Sequence, residues 1–139
     1  NVAADNYYVA VRHRNHLGTM VYATKVLGPN EMALDFTLTT EYTHGTSARA
    51  TLINGKRALW SGNTNHDGYL QYTGAQNDRD PILQAIGGTV PTNTITGYEL
   101  RDVNMDGVVR YTGGQNDRDP ILQNIGGSVP TNVRQQLLP

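Results

Sequence analysis

The chain of 139 residues contains no cysteine, so disulfides cannot cross-link it and thiolate metal sites are excluded. Tryptophan and phenylalanine occur once each, and no apolar run is long enough to cross a membrane. A net charge of −1 lacks the basic footprint of a protein that binds nucleic acid. The apolar fraction of 37% is typical of a soluble globular chain. Because cysteine is absent, we expect any bound metal to have oxygen ligands.

Charge is distributed unevenly along the chain. The first sixty residues hold six Lys or Arg against four Asp or Glu, and the remainder holds five against eight. Fifteen glycines and eight tyrosines are more typical of a secreted β-rich protein than of a cytosolic enzyme. The chain begins at Asn1 without a methionine or a basic, apolar signal segment, so we expect a processed product or a trimmed chain.

Residues 1–61 show the alternation of apolar and polar residues that predicts β-strands. An Asn-Gly pair between the last two strands predicts a hairpin with a tight turn. The predicted strands are Tyr7–His13, Thr19–Leu27, Met32–Tyr42, Ser47–Ile53 and Arg57–Gly62. This pattern favours a mainly β fold, with a small antiparallel, Ig-like β-sandwich in residues 1–61. Without a linker before residues 62–139, we expect the two parts to pack as one unit.

The second part of the chain is a duplication with an offset of 39 residues. Tyr72–Asn93 recurs as Tyr111–Asn132 and contains the string QNDRDPILQ unchanged in both copies. The repeats, taken with their preceding loops, cover residues 63–93 and 102–132. Three pairs differ, namely Ala75 and Gly114, Ala85 and Asn124, and Thr89 and Ser128.

Each copy predicts a helix of about two turns, too short to be stable without packing or a ligand. An aspartate is predicted as the N-cap, a proline as the first helical residue and a glycine as the stop. These residues are Asp80, Pro81 and Gly87 in the first copy and Asp119, Pro120 and Gly126 in the second.

A loop that is typical of calcium binding precedes each helix. Oxygen side chains at positions 1, 3 and 5, a glycine at position 6 and a backbone carbonyl at position 7 wrap a hard cation in an EF-hand. The second loop (residues 102–108) supplies Asp102, Asn104, Asp106, Gly107 and Val108 in that order. The first loop (residues 63–69) supplies Asn63, Asn65, Asp67, Gly68 and Tyr69.

The closing acid of an EF-hand is missing, because Gly74 and Gly113 stand at position 12. We interpret the YTG-x-Q segment as an insertion that bulges out and lets Asp78 and Asp117 close the sites. Asp80 and Asp119 then cap the helices or add a second ligand. Two Ca²⁺ sites are predicted, the second stronger because the first has one carboxylate fewer. A single string of this kind is often only an Asx turn, but two copies in register favour calcium sites over unligated turns. Magnesium is disfavoured because it prefers a tight octahedron with bound waters, whereas each loop offers many protein oxygens in a flexible ring.

Other candidate sites are less complete. His13 and His16 could share a transition metal, but no third ligand stands near them in the sequence. Ser47 and Ser61 lack a nucleophile elbow. Asp35 and Glu41 would share a strand face, where solvated acids are commoner than a glycosidase pair. We therefore predict that the chain is not an enzyme. Trp60, with tyrosines 7, 8, 22, 42, 69 and 72, forms either part of the core or a platform for sugars.

The paired units DVNMDG and DRDPILQNIGG resemble the duplicated calcium loop and helix of dockerins. The whole chain, from YYVAVRHRNHLG to NDRDPILQNIGGSVPTN, is similar to a region near the C-terminus of large secreted or surface proteins of Bacteroidetes-type bacteria. This resemblance implies calcium binding and a location outside the cell or on the bacterial cell surface.

Two hypotheses follow for function. The first is a non-catalytic, calcium-stabilised structural module that forms part of a surface filament or the attachment end of a larger surface protein. In a filament, the N-terminal strand within NVAADNYYVAVRHR would pair head to tail with a neighbouring copy. The alternative is a module that binds a carbohydrate or a cohesin-like surface protein. An exposed strip of aromatic side chains would favour this alternative.

Overall fold

The computed structural model describes residues 4–138 of the chain. These residues divide into two compact units, one made of residues 4–12, 18–60 and 136–138 and the other of residues 13–17 and 61–135. Short antiparallel strands and two helices make up the regular structure, which confirms the mainly β prediction. Neither helix in this part of the chain has the length and apolar character needed to span a membrane.

The first unit contains three antiparallel pairs of short strands. Strand β1 (Asp5–Tyr7) pairs with β4 (Lys25–Leu27), β2 (Ala10–Val11) pairs with β3 (Thr19–Met20), and β5 (Ala50–Thr51) pairs with β6 (Arg57–Ala58). Each of these sheets has two strands. Larger stacked sheets are therefore not shown for residues 4–138, and the sandwich stays a prediction.

The hairpin predicted around Asn54 and Gly55 is confirmed. Gly55 has a φ of +77°, and Leu52 donates its N–H to the carbonyl of Lys56 at 2.8 Å. Ala50 lies opposite Ala58 in the register that follows. A glycine is needed here because a side chain at this φ would be strained.

The strand predicted over Met32–Tyr42 is wrong, because this segment forms turns and irregular structure. The Arg49 guanidinium is largely buried and donates to the carbonyls of Phe36, Leu38 and Glu41. One arginine thus satisfies carbonyls that a neighbouring strand would otherwise have to pair. The alternating pattern could not reveal this partner, because Arg49 lies outside the segment.

The second unit contains the duplicated region. Its elements are β7 (Tyr69–Gln71), α1 (Arg79–Ala85), β8 (Thr94–Thr96), β9 (Val108–Arg110), α2 (Arg118–Asn124) and β10 (Val133–Gln135). Residues from both copies form one apolar core, made of Ile82, Ile86, Val103, Val109 and Ile121. Each seven-residue helix is therefore held by tertiary packing, as its short length requires.

The two copies exchange strands within this unit. Strand β8 follows the first helix and pairs with β9 of the second copy, whereas β10 follows the second helix and pairs with β7 of the first. The side chains repeat this reciprocity, since Thr73 donates to the carbonyl of Pro130 at 3.0 Å and Thr112 donates to that of Pro91 at 2.9 Å. Neither copy completes its own sheet, which explains why the unit occurs twice.

The predicted helix starts are wrong by two residues. Helix α1 begins at Arg79, so Asp80 and Pro81 are its second and third residues instead of the cap and the first residue. The side-chain cap comes from Asn77, whose Oδ1 accepts the N–H groups of Arg79 and Asp80 at 3.1 and 3.0 Å. Proline is tolerated there because the first turn needs no donor for the helix.

The second helix departs from the prediction in the same way. Helix α2 begins at Arg118, and Asn116 accepts the N–H of Asp119 at 2.9 Å. Asp119 and Pro120 again lie inside the first turn. The competing signal was Asn116, a good cap residue three positions before the aspartate.

The predicted glycine stops are confirmed. Gly87 has a φ of +109° and donates to the carbonyl of Gln84, while Gly88 donates to that of Leu83. Gly126 and Gly127 make the equivalent bonds in the second copy. This pair of bonds is the Schellman motif, which satisfies the last carbonyls of a helix.

Candidate metal centre

The two loops fold into the same concave turn. In the second loop, Asp106 donates its N–H to Asn104 Oδ1 at 2.9 Å, and Val108 donates to Asp106 Oδ1 at 2.9 Å. The first loop repeats these bonds at Asp67 and Tyr69, at 3.1 and 2.8 Å. The predicted position-7 residues, Tyr69 and Val108, are the first residues of β7 and β9.

The glycine at position 6 has the conformation that the calcium-loop pattern requires. Gly68 and Gly107 have φ values of +83° and +85°. Any other residue would be strained at these angles. The sequence pattern therefore correctly indicated a sharp turn in both loops.

The first positions of the two loops differ. Asp102 is buried, and its carboxylate accepts the N–H groups of Asp106 and Gly107 at 3.1 and 3.0 Å. It also forms an ion pair with Arg14 at 3.4 Å. Asn63 is 5% exposed, and its Oδ1 finds no hydrogen-bond partner among residues 4–138. A buried amide oxygen without a donor is unfavourable unless something else, such as a cation, binds it.

The third position of each loop contacts a backbone carbonyl that the sequence did not reveal. Asn65 Nδ2 donates to the carbonyl of Gln76 at 2.6 Å, and Asn104 Nδ2 donates to that of Gln115 at 2.7 Å. Both glutamines have φ values near +57°, namely +58° and +56°. Strained backbone of this kind is concentrated at functional sites. Its only sequence signal was the position of each glutamine inside the YTG-x-Q insertion.

Asp78 and Asp117 lie behind the loops, where they bind backbone amides. Asp117 is fully buried and accepts the N–H groups of Val103 and Asn104 on Oδ1 and of Arg110 on Oδ2, at 2.6, 3.2 and 2.7 Å. Burial raises the pKa of its carboxyl group, against the opposing effect of these hydrogen bonds. The carboxylate ties the two ends of the second loop together.

Asp78 has the same role in the first loop. It accepts the N–H of Thr64 on Oδ1 and that of Gln71 on Oδ2, both at 2.8 Å. Burial raises the pKa of Asp78 to about 7, partly opposed by those amides. A further bond from Thr64 Oγ1 to the Asp78 carbonyl, at 2.6 Å, fixes the backbone of the same residue.

Asp80 and Asp119 face open pockets in front of the loops. Asp80 lines a pocket of about 340 Å³ together with Asn65 and Asp67, and Asp119 lines one of about 390 Å³ together with Asn104 and Asp106. The structure therefore brings the second aspartate of each DRD string to the predicted ligands at positions 3 and 5. The first aspartate of each string lies on the buried side of the loop.

Within residues 4–138, no three side chains of His, Cys, Asp or Glu converge as a metal-binding group. His13 and His16 contact each other, with their Nδ1 atoms 3.0 Å apart. Burial, with His13 and Arg14 nearby, lowers the pKa of His16 to about 4.

The other candidates from the sequence are separated or engaged elsewhere. Asp35 accepts the N–H of Thr37 at 2.8 Å, whereas Glu41 forms an ion pair with Lys25 at 2.8 Å. Trp60 is half-buried and donates to the carbonyl of Ser47 at 2.9 Å.

The tyrosines fall into two groups. Tyr72 packs against the core of the second unit. Tyr8 and Tyr22 are 60% and 66% exposed, and with Met20 and His44 they line an open pocket of about 490 Å³ in the first unit.

No family model, no curated protein and no solved structure matches this chain. The resemblance to dockerins therefore stays a prediction.

Proposed function

We propose that the second unit is a duplicated calcium-binding module and that the protein is a non-catalytic, extracellular structural or assembly module of a bacterial surface. The orphaned oxygen of Asn63 carries the calcium proposal. It is buried at position 1 of a loop whose glycine at position 6 has the positive φ of a sharp turn, a feature of calcium loops that supports the proposal. The ligands would be amide and backbone carbonyl oxygens together with up to two carboxylates in the first site and up to three in the second.

Calcium would supply free energy of folding that this unit otherwise lacks. The chain has no cysteine to form a disulfide, and its two copies carry strained backbone at Gln76 and Gln115, just after the loops. An ion that binds only the folded chain stabilises it by about 2.7 kcal/mol at a concentration of 100 Kd. A calcium requirement suits a protein outside the cell, where calcium is abundant.

The first test is thermal unfolding with CaCl₂ and with EDTA. We expect EDTA to lower the melting temperature, and Asp106→Ala to lower the melting temperature in calcium more than the control Asp5→Ala does. Asp5 lies exposed in β1 and lines neither loop. Equal melting curves with and without chelator would contradict the proposal.

The assembly role rests on the N-terminal strand. Strand β1 pairs with β4 along one side and carries largely exposed side chains. Transfer of residues 1–7 to β4 of a neighbouring copy would conserve these contacts and generate a head-to-tail filament. Residues 1–3 of the predicted strand lie outside the described residues. We retain an Ig-like sandwich for the first unit as part of this proposal, supported by its three antiparallel strand pairs.

Deletion of residues 1–7 tests the assembly role. We expect wild-type protein in calcium to form particles or fibres in electron micrographs, and the shortened chain to remain monomeric by light scattering. An unchanged particle size after the deletion would contradict strand exchange. The variant Asp106→Ala, which keeps residues 1–7 but lacks a predicted calcium ligand, is compared in the same assay. Its particle size shows whether assembly depends on calcium as well as on the strand.

A second candidate function is binding of a carbohydrate, favoured by the open pocket in the first unit. Exposed aromatic rings pack well on the apolar faces of sugars, and Tyr8 and Tyr22 present such rings beside the His44 imidazole. A glycan array with wild-type protein and Tyr22→Ala tests this candidate. Binding that Tyr22→Ala abolishes would support it, and an array without binding above background would remove it.

A further inference from the structure

The segment of residues 13–17 lies between the starts of the two loops in the second unit. His16 forms an antiparallel bridge with Ser61, just before the first loop. The carbonyl of Asn15 then accepts the N–H groups of Gly62 and Asn63, at 2.8 and 2.9 Å. The backbone of Asn15 therefore holds position 1 of the first loop.

The side chain of the same residue holds position 1 of the second loop. Asn15 is fully buried, and its Nδ2 donates to the carbonyl of Asp102 at 2.7 Å and to that of Leu100 at 3.1 Å. Its neighbour Arg14 pairs with the Asp102 carboxylate and lies over the ring of Tyr98, 4.2 Å from the centroid. One short segment, distant in sequence from both loops, thus fixes the first residue of each.

We propose that Asn15 is a positioning residue that couples the two calcium sites, so that the two ions bind with positive cooperativity. This inference rests on the proposed calcium binding. An ion in one loop fixes the first residue of that loop, and the bonds of Asn15 pass this restraint to the first residue of the other. The second ion then orders a loop whose conformational entropy has already been reduced.

The coupling is measurable by isothermal titration of the full chain with CaCl₂. Asp67→Ala and Asp106→Ala each disable one loop, and the affinity of the remaining loop gives a single-site binding constant. The coupling factor is the overall two-ion constant of the wild-type chain divided by the product of those two constants. We expect a factor of about five or more for the wild-type chain, at the low end of known couplings.

The same series in an Asn15→Ala background should give a factor within about twofold of one, the range expected for independent sites. Asn15→Asp serves as a second variant of similar size that lacks the donor. The matched control is Asn93→Ala, which removes a bond of 3.2 Å to the carbonyl of Ile86 but does not join the loops. Asn93→Ala should lower stability but preserve the coupling factor. If Asn15 were important only for stability, Asn15→Ala would give the same result as this control.

The outcomes separate this inference from the calcium proposal. Absence of any calcium binding by the wild-type chain would overturn both. Binding of two ions with a coupling factor near one would overturn the coupling alone. Coupling that survives in Asn15→Ala and Asn15→Asp would overturn the role of Asn15.

Discussion

The first and second loops have the same backbone conformation but differ in charge. Both are tied by a buried aspartate and completed by a strand from the other copy. The first loop begins with Asn63, whose oxygen has no partner in the described part of the chain, whereas the second begins with Asp102, which pairs with Arg14. Arg110, whose counterpart in the first copy is Gln71, also pairs with Asp106.

Because of this difference, a count of carboxylates is not enough to predict the order of calcium affinities. The second loop has one more acid at its ligand positions, but two arginines lie against its acids and offset part of the negative charge. The first loop has fewer acids, and within residues 4–138 no arginine forms an ion pair with its Asp67. A stronger second site stays a prediction, and it depends on whether calcium displaces Arg110 from Asp106.

The largest expected effect comes from replacing the buried aspartate that holds the backbone of each loop. Asp117→Asn replaces one carboxylate oxygen by an amide that cannot accept the N–H it faces, so the variant should lose about 3 kcal/mol of unfolding free energy even without calcium. Asp78→Asn should lose a similar amount. Urea unfolding in EDTA measures both.

The matched controls for this prediction are Asp119→Asn and Asp80→Asn. These exposed side chains belong to the same DRD strings but bind no loop backbone amide among residues 4–138. They should leave stability in EDTA nearly unchanged and weaken calcium binding. The reverse pattern would place the first aspartate of each string at the ion, as the sequence predicted.

A smaller effect is expected from exchanging the residues that differ between the loops. Arg110→Gln removes the ion pair with Asp106 and should raise the calcium affinity of the second loop by up to about fivefold, the upper end for a partly exposed ion pair. The reciprocal change Gln71→Arg should lower the affinity of the first loop. Titration with CaCl₂ checks both, and unchanged affinities would show that these arginines do not compete with the ion.

The smallest expected effect is a pH dependence of stability that comes from His16, which lies next to the first loop. His16, which bridges Ser61, has a pKa lowered from 6.5 to about 4. At His16 the unfolded chain therefore binds more protons than the folded chain between these values, so the contribution of His16 to stability should fall as the pH drops from about 6.5 to about 4. Asp78, whose pKa is raised to about 7, contributes in the opposite direction over this range.

Melting curves across that range check the pH prediction. Relative to the wild-type chain, His16→Gln should raise the melting temperature near pH 4 by a few degrees more than near pH 6.5, whereas His44→Gln in the first unit should not. A slope unchanged in His16→Gln would assign the pH dependence to another group.

Much of the second unit was predictable because its determinants are local. Glycines that end helices or open sharp turns, and Asx residues that accept nearby N–H groups, act within a few residues of the chain. The predicted loops and the glycine stops have such local determinants, as does the hairpin at Gly55 in the first unit. The helix starts were wrong by two residues because Asn77 competed with Asp80 for the cap, and only geometry decides between two good cap residues.

The sequence by itself determined that the module is duplicated, that any metal bound to it would have no thiolate ligand and that each copy contains a loop followed by a short helix. The tertiary structure alone decided which aspartate of each DRD string lies on the buried side of its loop and which strand completes each copy. It also decided that Asn15 joins the two loops. These features depend on contacts between residues far apart in sequence. Such contacts leave no periodic pattern, because burial and hydrogen bonding act through space and the order of residues records only neighbours along the chain.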